Sequence, residues 1–255
     1  MVNSRLLMSV VTVTASLFLM PVTRWVDGLP IHAFANPALA SFPEQSQSNF
    51  NYVPPYRGIP RRTQGAGTRG DEPSEGVTLK LLVPNDHTGQ TLSGHPTFFW
   101  YVSEIPEESV EFSLVESGVA QPIFIEQLQL EKAGIIRMEM PKNLPELVPG
   151  KEYRWSVSLV SNAARRSNDT FAQSWIKRVA ETPALKQQLA EAKSDRDRAS
   201  IYAEAGAWYD ALNVLLNAQS TNPTNGSIRE AFLSLLDQAG LTEVAAQERQ
   251  RLARY

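Results

Sequence analysis

Between Val77 and Val179 the chain passes through seven short runs rich in β-branched and aromatic residues: "VTLKLLVP", "HPTFFWYV", "SVEFSLVE", "QPIFIEQLQL", "GIIRMEM", "EYRWSVSLV" and "FAQSWIKRV". Pro, Gly, Asn and Ser turns separate them. Runs this short, bounded by turn formers, predict strands rather than helices. Seven of them at fairly regular spacing predict two packed antiparallel sheets, a β-sandwich over residues 76–180. At 255 residues there is room for that layer pair and a second, smaller segment, each able to bury apolar surface.

Tyr153, Trp155, Val157 and Leu159 alternate with Arg154, Ser156, Ser158 and Val160, so one face of this strand reads as core and the other as mostly wet. The segment before it, "LVPGKEY", resembles the tyrosine corner of fibronectin type III and other immunoglobulin-like sandwiches, in which a Tyr hydroxyl bonds backbone a few residues upstream. That resemblance implies a structural role for Tyr153. "TFFWYV" is aromatic on both faces, with Phe98 and Trp100 on one side and Phe99 and Tyr101 on the other. A strand of this kind needs a second covering layer, and the helices that follow are expected to supply it.

From Thr182 to Tyr255 the apolar period becomes helical, with Gly206, Pro223 and Gly240 as punctuation. Ala199, Tyr202, Ala211, Leu215, Ala218 and Pro223 fall at tetratricopeptide spacings, and the Gly206–Ala211 pair recurs 34 residues later as Gly240 and Ala245. The segment resembles one repeat and part of a second, departing from the pattern where Asp195 and Arg198 replace Trp and Leu, and at Arg249. Fewer than three repeats seldom stand alone. The expectation is therefore that residues 181–255 lean on the sandwich through Trp208 and the Phe98 region, an independent concave peptide groove being the alternative. The fold class is mainly β plus α: an immunoglobulin/fibronectin-III-like β-sandwich followed by a short tetratricopeptide-like helical tail.

Residues 1–40 read as an export signal. Arg5 precedes an apolar run from Leu6 to Met20, and small-x-small cleavage sites end at Ala35 and Ala40. The long gap containing Arg24, Trp25 and Asp27 leaves an uncleaved membrane anchor as the alternative. In either case the body is expected outside the cytoplasm, periplasmic or extracellular. Residues 41–75 are rich in Ser, Gln, Asn, Pro and Gly and are expected to form a disordered linker.

That linker contains "GAGTRG", Gly65 to Gly70, which matches the G-x-G-x-x-G spacing of a dinucleotide pocket. The motif needs a buried strand before it and a helix after it. Pro54, Pro55 and Pro60 precede it, and Pro73 and Gly76 follow, so the glycines read as flexibility and no nucleotide is expected. Arg57, Arg61, Arg62 and Arg69 stand there without an acid until Asp71. Of these, Arg61, Arg62 and Arg69 are the candidate contact for an anionic polymer or lipid headgroup, the alternative being that they only keep the linker solvated.

Taken in order, "GAGTRG", "TLSGHPTFFWYV", "YRWSVSLVSNAARRSND" and "YAEAGAWYDAL" resemble a cyanobacterial family known as domain of unknown function nine-two-eight, over about residues 60 to 250. The resemblance implies an exported protein without an assigned activity. The family pattern places one cysteine just after the glycine motif and another where Ser161 stands; this chain has no cysteine at all, so neither is present.

Candidate chemistry is sparse. Without cysteine there is no disulfide, thiolate metal site or cysteine nucleophile. His87 and His95, with Asp86, form the one candidate zinc set, and an envelope metal-dependent hydrolase is the alternative function. Against it, the spacing lacks the same-face geometry of helical His pairs. "SWIK", Ser174 to Lys177, fits S-x-x-K, but strand alternation puts the two on opposite faces. Glu104, Glu107, Glu108 and Glu111 are expected in a solvated Pro-containing loop. A formal net charge of −3 with no basic domain argues against nucleic acid. No catalytic residue, cofactor or metal is assigned, and the expected function is a non-enzymatic protein-interaction or adaptor module of the cell envelope.

Overall fold

The computed structural model describes residues 25–26, 29–30, 50–55, 77–162, 164, 166 and 169–252. Two compact units divide the chain. In the first, Met1–Gln47, strand β1 (Trp25–Val26) pairs antiparallel with β2 (Leu29–Pro30). The second, Ser48–Tyr255, holds two further sheets and five helices among its described residues. The "GAGTRG" motif and Arg57, Arg61, Arg62 and Arg69 lie outside the described residues. Among the described residues no helix is long and apolar enough to cross a membrane.

All seven β-rich runs form strands: β3 (Leu79–Leu81), β5 (Thr97–Val102), β6 (Ser109–Glu116), β7 (Pro122–Leu128), β8 (Gly134–Glu139), β9 (Glu152–Val160) and β10 (Thr170–Arg178). An eighth, β4 (Gly89–Thr91), was not anticipated, because "GQT" has neither apolar alternation nor β-branched density. It pairs in parallel with the edge of β10, Ile176 opposite Gly89. The sheets run β3-β5-β8 and β4-β10-β9-β6-β7.

Register sets the two inner faces against each other. Phe98 and Trp100 on β5 stand beside Met138 and Ile136 on β8, while Phe112 on β6 stands beside Val157 on β9. Phe98 meets Phe112 and Trp155 across the interior, each at a ring-centroid distance of 5.0 Å. These rings are fully buried, and aromatic pairs at such separations add to the stabilisation from area burial alone. The Tyr153 hydroxyl accepts the Val148 N–H at 2.8 Å, tying the entry of β9 to the turn before it.

The helices are α1 (Pro183–Glu191), α2 (Asp195–Glu204), α3 (Trp208–Thr221), α4 (Gly226–Gln238) and α5 (Thr242–Leu252). Side chains of Thr182, Ser194 and Asn225 cap the free N–H groups of α1, α2 and α4. The first turn of α3 has no side-chain cap and instead enters the sheets. Trp208 donates its indole N–H to the Leu82 carbonyl at 2.9 Å, and Tyr209 receives the Trp155 indole N–H at 2.8 Å. Asp210 accepts the Leu92 N–H at 2.9 Å. Gly89 makes this entry possible, since a Cβ there would sit 2.9 Å from the Tyr209 ring. The Tyr209 ring, its centroid 5.9 Å from that of Phe98, carries the contact of α3 into the interior.

The helices overlie the outer face of β3-β5-β8. Lys80 on β3 pairs with Glu243 on α5 at 2.7 Å, and Arg137 on β8 donates to Asn217 on α3. The second aromatic face of "TFFWYV", Phe99 and Tyr101, is covered in this way.

Residues 50–55 differ from the linker expectation. Phe50 and Tyr52 are buried, Gln238 bonds the Tyr52 N–H and the Phe50 carbonyl, and the Val53 N–H reaches the Ala203 carbonyl at 3.1 Å. Gly206, at φ +74°, lets the Val53 carbonyl approach, as a Cβ there would meet it at 3.1 Å. The alternating aromatic pair Phe50–Tyr52 supplies burial that the polar composition around it conceals.

Asp210 makes stability depend on pH. Its carboxyl is pushed up to about 6 by burial, partly offset by hydrogen bonds from Leu92, Thr91 and Ser93. The native state therefore holds a proton between about pH 4 and 6 that the unfolded chain has released, so stability falls as pH rises through this window and levels off above it. Asp210 keeps a partly exposed edge, which limits the change to no more than about 2 kcal/mol. Urea titrations of wild type and Asp210→Asn from pH 4 to 7 check this. The expected stability difference between them shifts against wild type as pH rises; a constant difference contradicts the assignment.

Candidate functional site

The outer face of the three-stranded sheet does not meet the helices everywhere. At its first turn α3 is inserted through Trp208, Tyr209 and Asp210, whereas its last turns stand over β8 with space beneath them. The space is a cavity of about 620 Å³ between β5, β8 and the segment before β8 on one side and α3, α4 and α5 on the other. That volume lies within the range of small-ligand and side-chain pockets.

Its floor is apolar because strand alternation turns Phe99 and Ile135 outward. Leu216 from α3 and Leu252 from α5 close it from the helical side. Its rim is cationic: Lys132, Arg137, Arg229 and Arg251 all border it. Among the described lining residues the one acid is Glu248, 2% exposed and held by Arg251, whose Nη2 lies 2.7 Å away. Burial and then Glu248 raise the Tyr101 hydroxyl above its ordinary value, which places Glu248 near that outward-facing ring. Arg137 also pairs with Glu139 at 2.5 Å, and Arg229 donates from Nη2 to the Pro223 carbonyl at 3.1 Å. Two polar atoms of the lining residues are buried without a hydrogen-bond partner, Nε of Arg229 and Oε1 of Gln219. Buried polar atoms are seldom left unpaired.

The sequence-derived candidates fall elsewhere. His87 is buried, its Nε2 2.6 Å from the Tyr52 hydroxyl and its Nδ1 2.6 Å from Asp86. Both imidazole nitrogens are thus engaged within the protein. His95 Nε2 bonds the Leu144 carbonyl at 2.8 Å, so the two histidines serve separate hydrogen bonds and are not brought together on one ligand position. Among the described residues no group of three or more His, Asp or Glu side chains is placed to hold a metal ion. Ser174 faces the buried side of β10 and Lys177 the other side, as alternation implied.

Glu111 corrects an expectation. It lies on β6, not in the loop with Glu104, Glu107 and Glu108, and takes a bidentate pair of hydrogen bonds from Arg166 at 2.7 and 3.1 Å. Arg166 holds its carboxyl below the ordinary range. The pair ties β6 to the turn after β9, a structural use of both charges.

Sequence reasoning missed the groove itself. The outward aromatics of β5 signalled that a layer must cover them, and Arg137 within the alternating "GIIRMEM" signalled a polar position on that covered face. Nothing local indicated that Leu216, Gln219, Arg229 and Glu248 would converge there from three helices.

A family model described as Domain of Unknown Function (DUF928) matches residues 64–249. No curated protein matches the chain.

Proposed function

The chain belongs to the DUF928 family, and from that premise we propose that it is a non-enzymatic interaction module of the cell envelope whose contact surface is the groove between the outer sheet face and α3–α5. The observation that carries this is the combination of an apolar floor with a cationic rim in a groove roofed by helices fixed to the sheet. Such a surface suits recognition of a partner. The nucleophile, base and acid candidates support the non-catalytic side of the reading: Ser174 and Lys177 diverge, Glu111 is committed to Arg166, and both nitrogens of His87 are committed to Tyr52 and Asp86.

The finer parts of the reading rest on sequence. Arg5 followed by the apolar run Leu6–Met20 supports export to the periplasm or cell exterior, and the ordered set of family motifs supports a cyanobacterial source. The facing sheets, with the Tyr153 hydroxyl bonded to the Val148 N–H, support an immunoglobulin/fibronectin-III-like sandwich. The consecutive helices with positive-φ Gly206 and Gly240 at their turns support a tetratricopeptide-like tail. Both architectures commonly serve as interaction scaffolds, a fold-level analogy. A secondary, salt-sensitive attraction to anionic polymer or lipid is assigned to Arg61, Arg62 and Arg69.

Gentle crosslinking of the whole chain in envelope extract tests the proposal. The expected result is a discrete partner captured by wild type and lost when Arg137→Glu and Arg229→Glu are combined. Absence of any captured partner contradicts the interaction role.

A further inference from the structure

We propose, building on the interaction role inferred above, that the groove binds an acidic peptide segment carrying a large apolar side chain. Charge complementarity is the first ground. Lys132, Arg137 and Arg229 border the groove; among the described lining residues the one acid, Glu248, is buried and matched by Arg251, and Glu139 beside the rim offsets Arg137 alone, so the border keeps a cationic excess. An acidic ligand is therefore attracted and a basic one repelled. The floor is the second ground. Phe99, Ile135 and Leu216 offer an apolar recess within a cavity of about 620 Å³, enough for one leucine-sized or phenylalanine-sized side chain together with its backbone.

The third ground separates a peptide from a simple alkyl acid. Arg229 Nε is a buried donor without a partner, and Gln219 Oε1 is a buried acceptor without one. Both residues line the groove. A peptide backbone presents a carbonyl for the first and an N–H for the second. A fatty acid presents a carboxylate alone and leaves the Gln219 oxygen unmatched.

Fluorescence anisotropy on the whole chain tests the assignment, using a labelled short peptide of alternating glutamate and leucine at low salt. A lysine–leucine peptide of equal length and dodecanoate serve as the comparison ligands. The expected result is saturable binding of the acidic peptide, none of the basic one, and about tenfold weaker binding in Arg137→Glu and in Arg229→Glu. Each variant is first shown to keep the wild-type thermal transition, and Gln219→Leu, which removes the acceptor without altering charge, provides a second readout of peptide backbone contact. No saturable binding, equal affinity for the basic peptide, or unchanged affinity in both arginine variants overturns the proposal. Saturation by dodecanoate with no peptide binding also overturns it, in favour of a small amphipathic ligand. A partner that is captured from extract equally by the double arginine variant sinks the groove assignment and leaves the interaction role standing; capture of nothing, with the peptide bound, does the reverse.

Discussion

Replacing Trp208 with Ala is expected to destabilise the Ser48–Tyr255 unit by about 3–5 kcal/mol, the range for deleting a large buried aromatic side chain. Trp208 is fully buried at the start of α3, packs edge-on against Tyr52 at 5.3 Å, and donates to the Leu82 carbonyl between β3 and β4. Its loss opens a cavity at the junction of three parts of the chain: the 50–55 segment, the sheet and the helices. It also leaves the Leu82 carbonyl without that donor, which adds a desolvation cost to the packing loss. Ile125→Ala is the comparison, since Ile125 is 50% exposed and should change stability by no more than about 0.5 kcal/mol. Urea unfolding of both variants measures the contrast. A Trp208→Ala cost below about 1 kcal/mol would show that the indole is not a structural junction.

The second large effect concerns the helices alone. Residues 182–255, expressed without the sheets, should show no cooperative thermal transition by circular dichroism. In the intact chain the aromatic side chains at the start of α3 find their partners outside the helical segment: Leu82 for Trp208, and Trp155 and Phe98 for Tyr209. Separated from the sheets, two large aromatic groups are exposed, Asp210 loses the Leu92 N–H, and Gly206 loses the strap formed by residues 50–55. What remains is the mutual packing of α3, α4 and α5 around Leu215, Phe232, Leu236 and Val244, a small core for a segment of this length. Fewer than three helical repeats cannot bury a continuous core. A sigmoidal melt of the isolated segment would show instead that the helices fold autonomously and that their attachment to the sheet is secondary.

Legibility in the sequence followed the range of the interactions involved. Strand alternation is a local signal, and it placed Tyr153, Trp155, Val157 and Leu159 on the buried face of β9 correctly. The Pro149–Gly150 turn before Tyr153 is also local, and the hydroxyl bond to Val148 followed from it. Phe99 and Tyr101 announced a covering layer because outward aromatics on a central strand need one. By contrast β4 exists only because β10 offers an open edge and α3 needs Gly89 beneath Tyr209, two long-range facts that "GQT" does not encode. Phe50 and Tyr52 were obscured by the polar residues around them. Glu111 was grouped with its acidic neighbours, although Val110, Phe112 and Leu114 mark the strand that carries it. The groove lay furthest from view, since its floor and part of its rim come from β5, β8 and the segment before β8, and the rest from helices far later in the chain.

The groove exists only if sheets and helices form a single cooperative body, and equilibrium urea unfolding of the whole chain followed by two probes tests that most directly. Tryptophan fluorescence reports chiefly the burial of Trp100, Trp155 and Trp208, two in the sheets and one at the junction. Far-ultraviolet dichroism reports chiefly the helices α1–α5. Coincident transitions with one midpoint are the expected result, because two-state unfolding makes every probe follow the same population. A helical transition at clearly lower urea, with Trp100 and Trp155 still buried, would contradict it and separate the groove's roof from its floor.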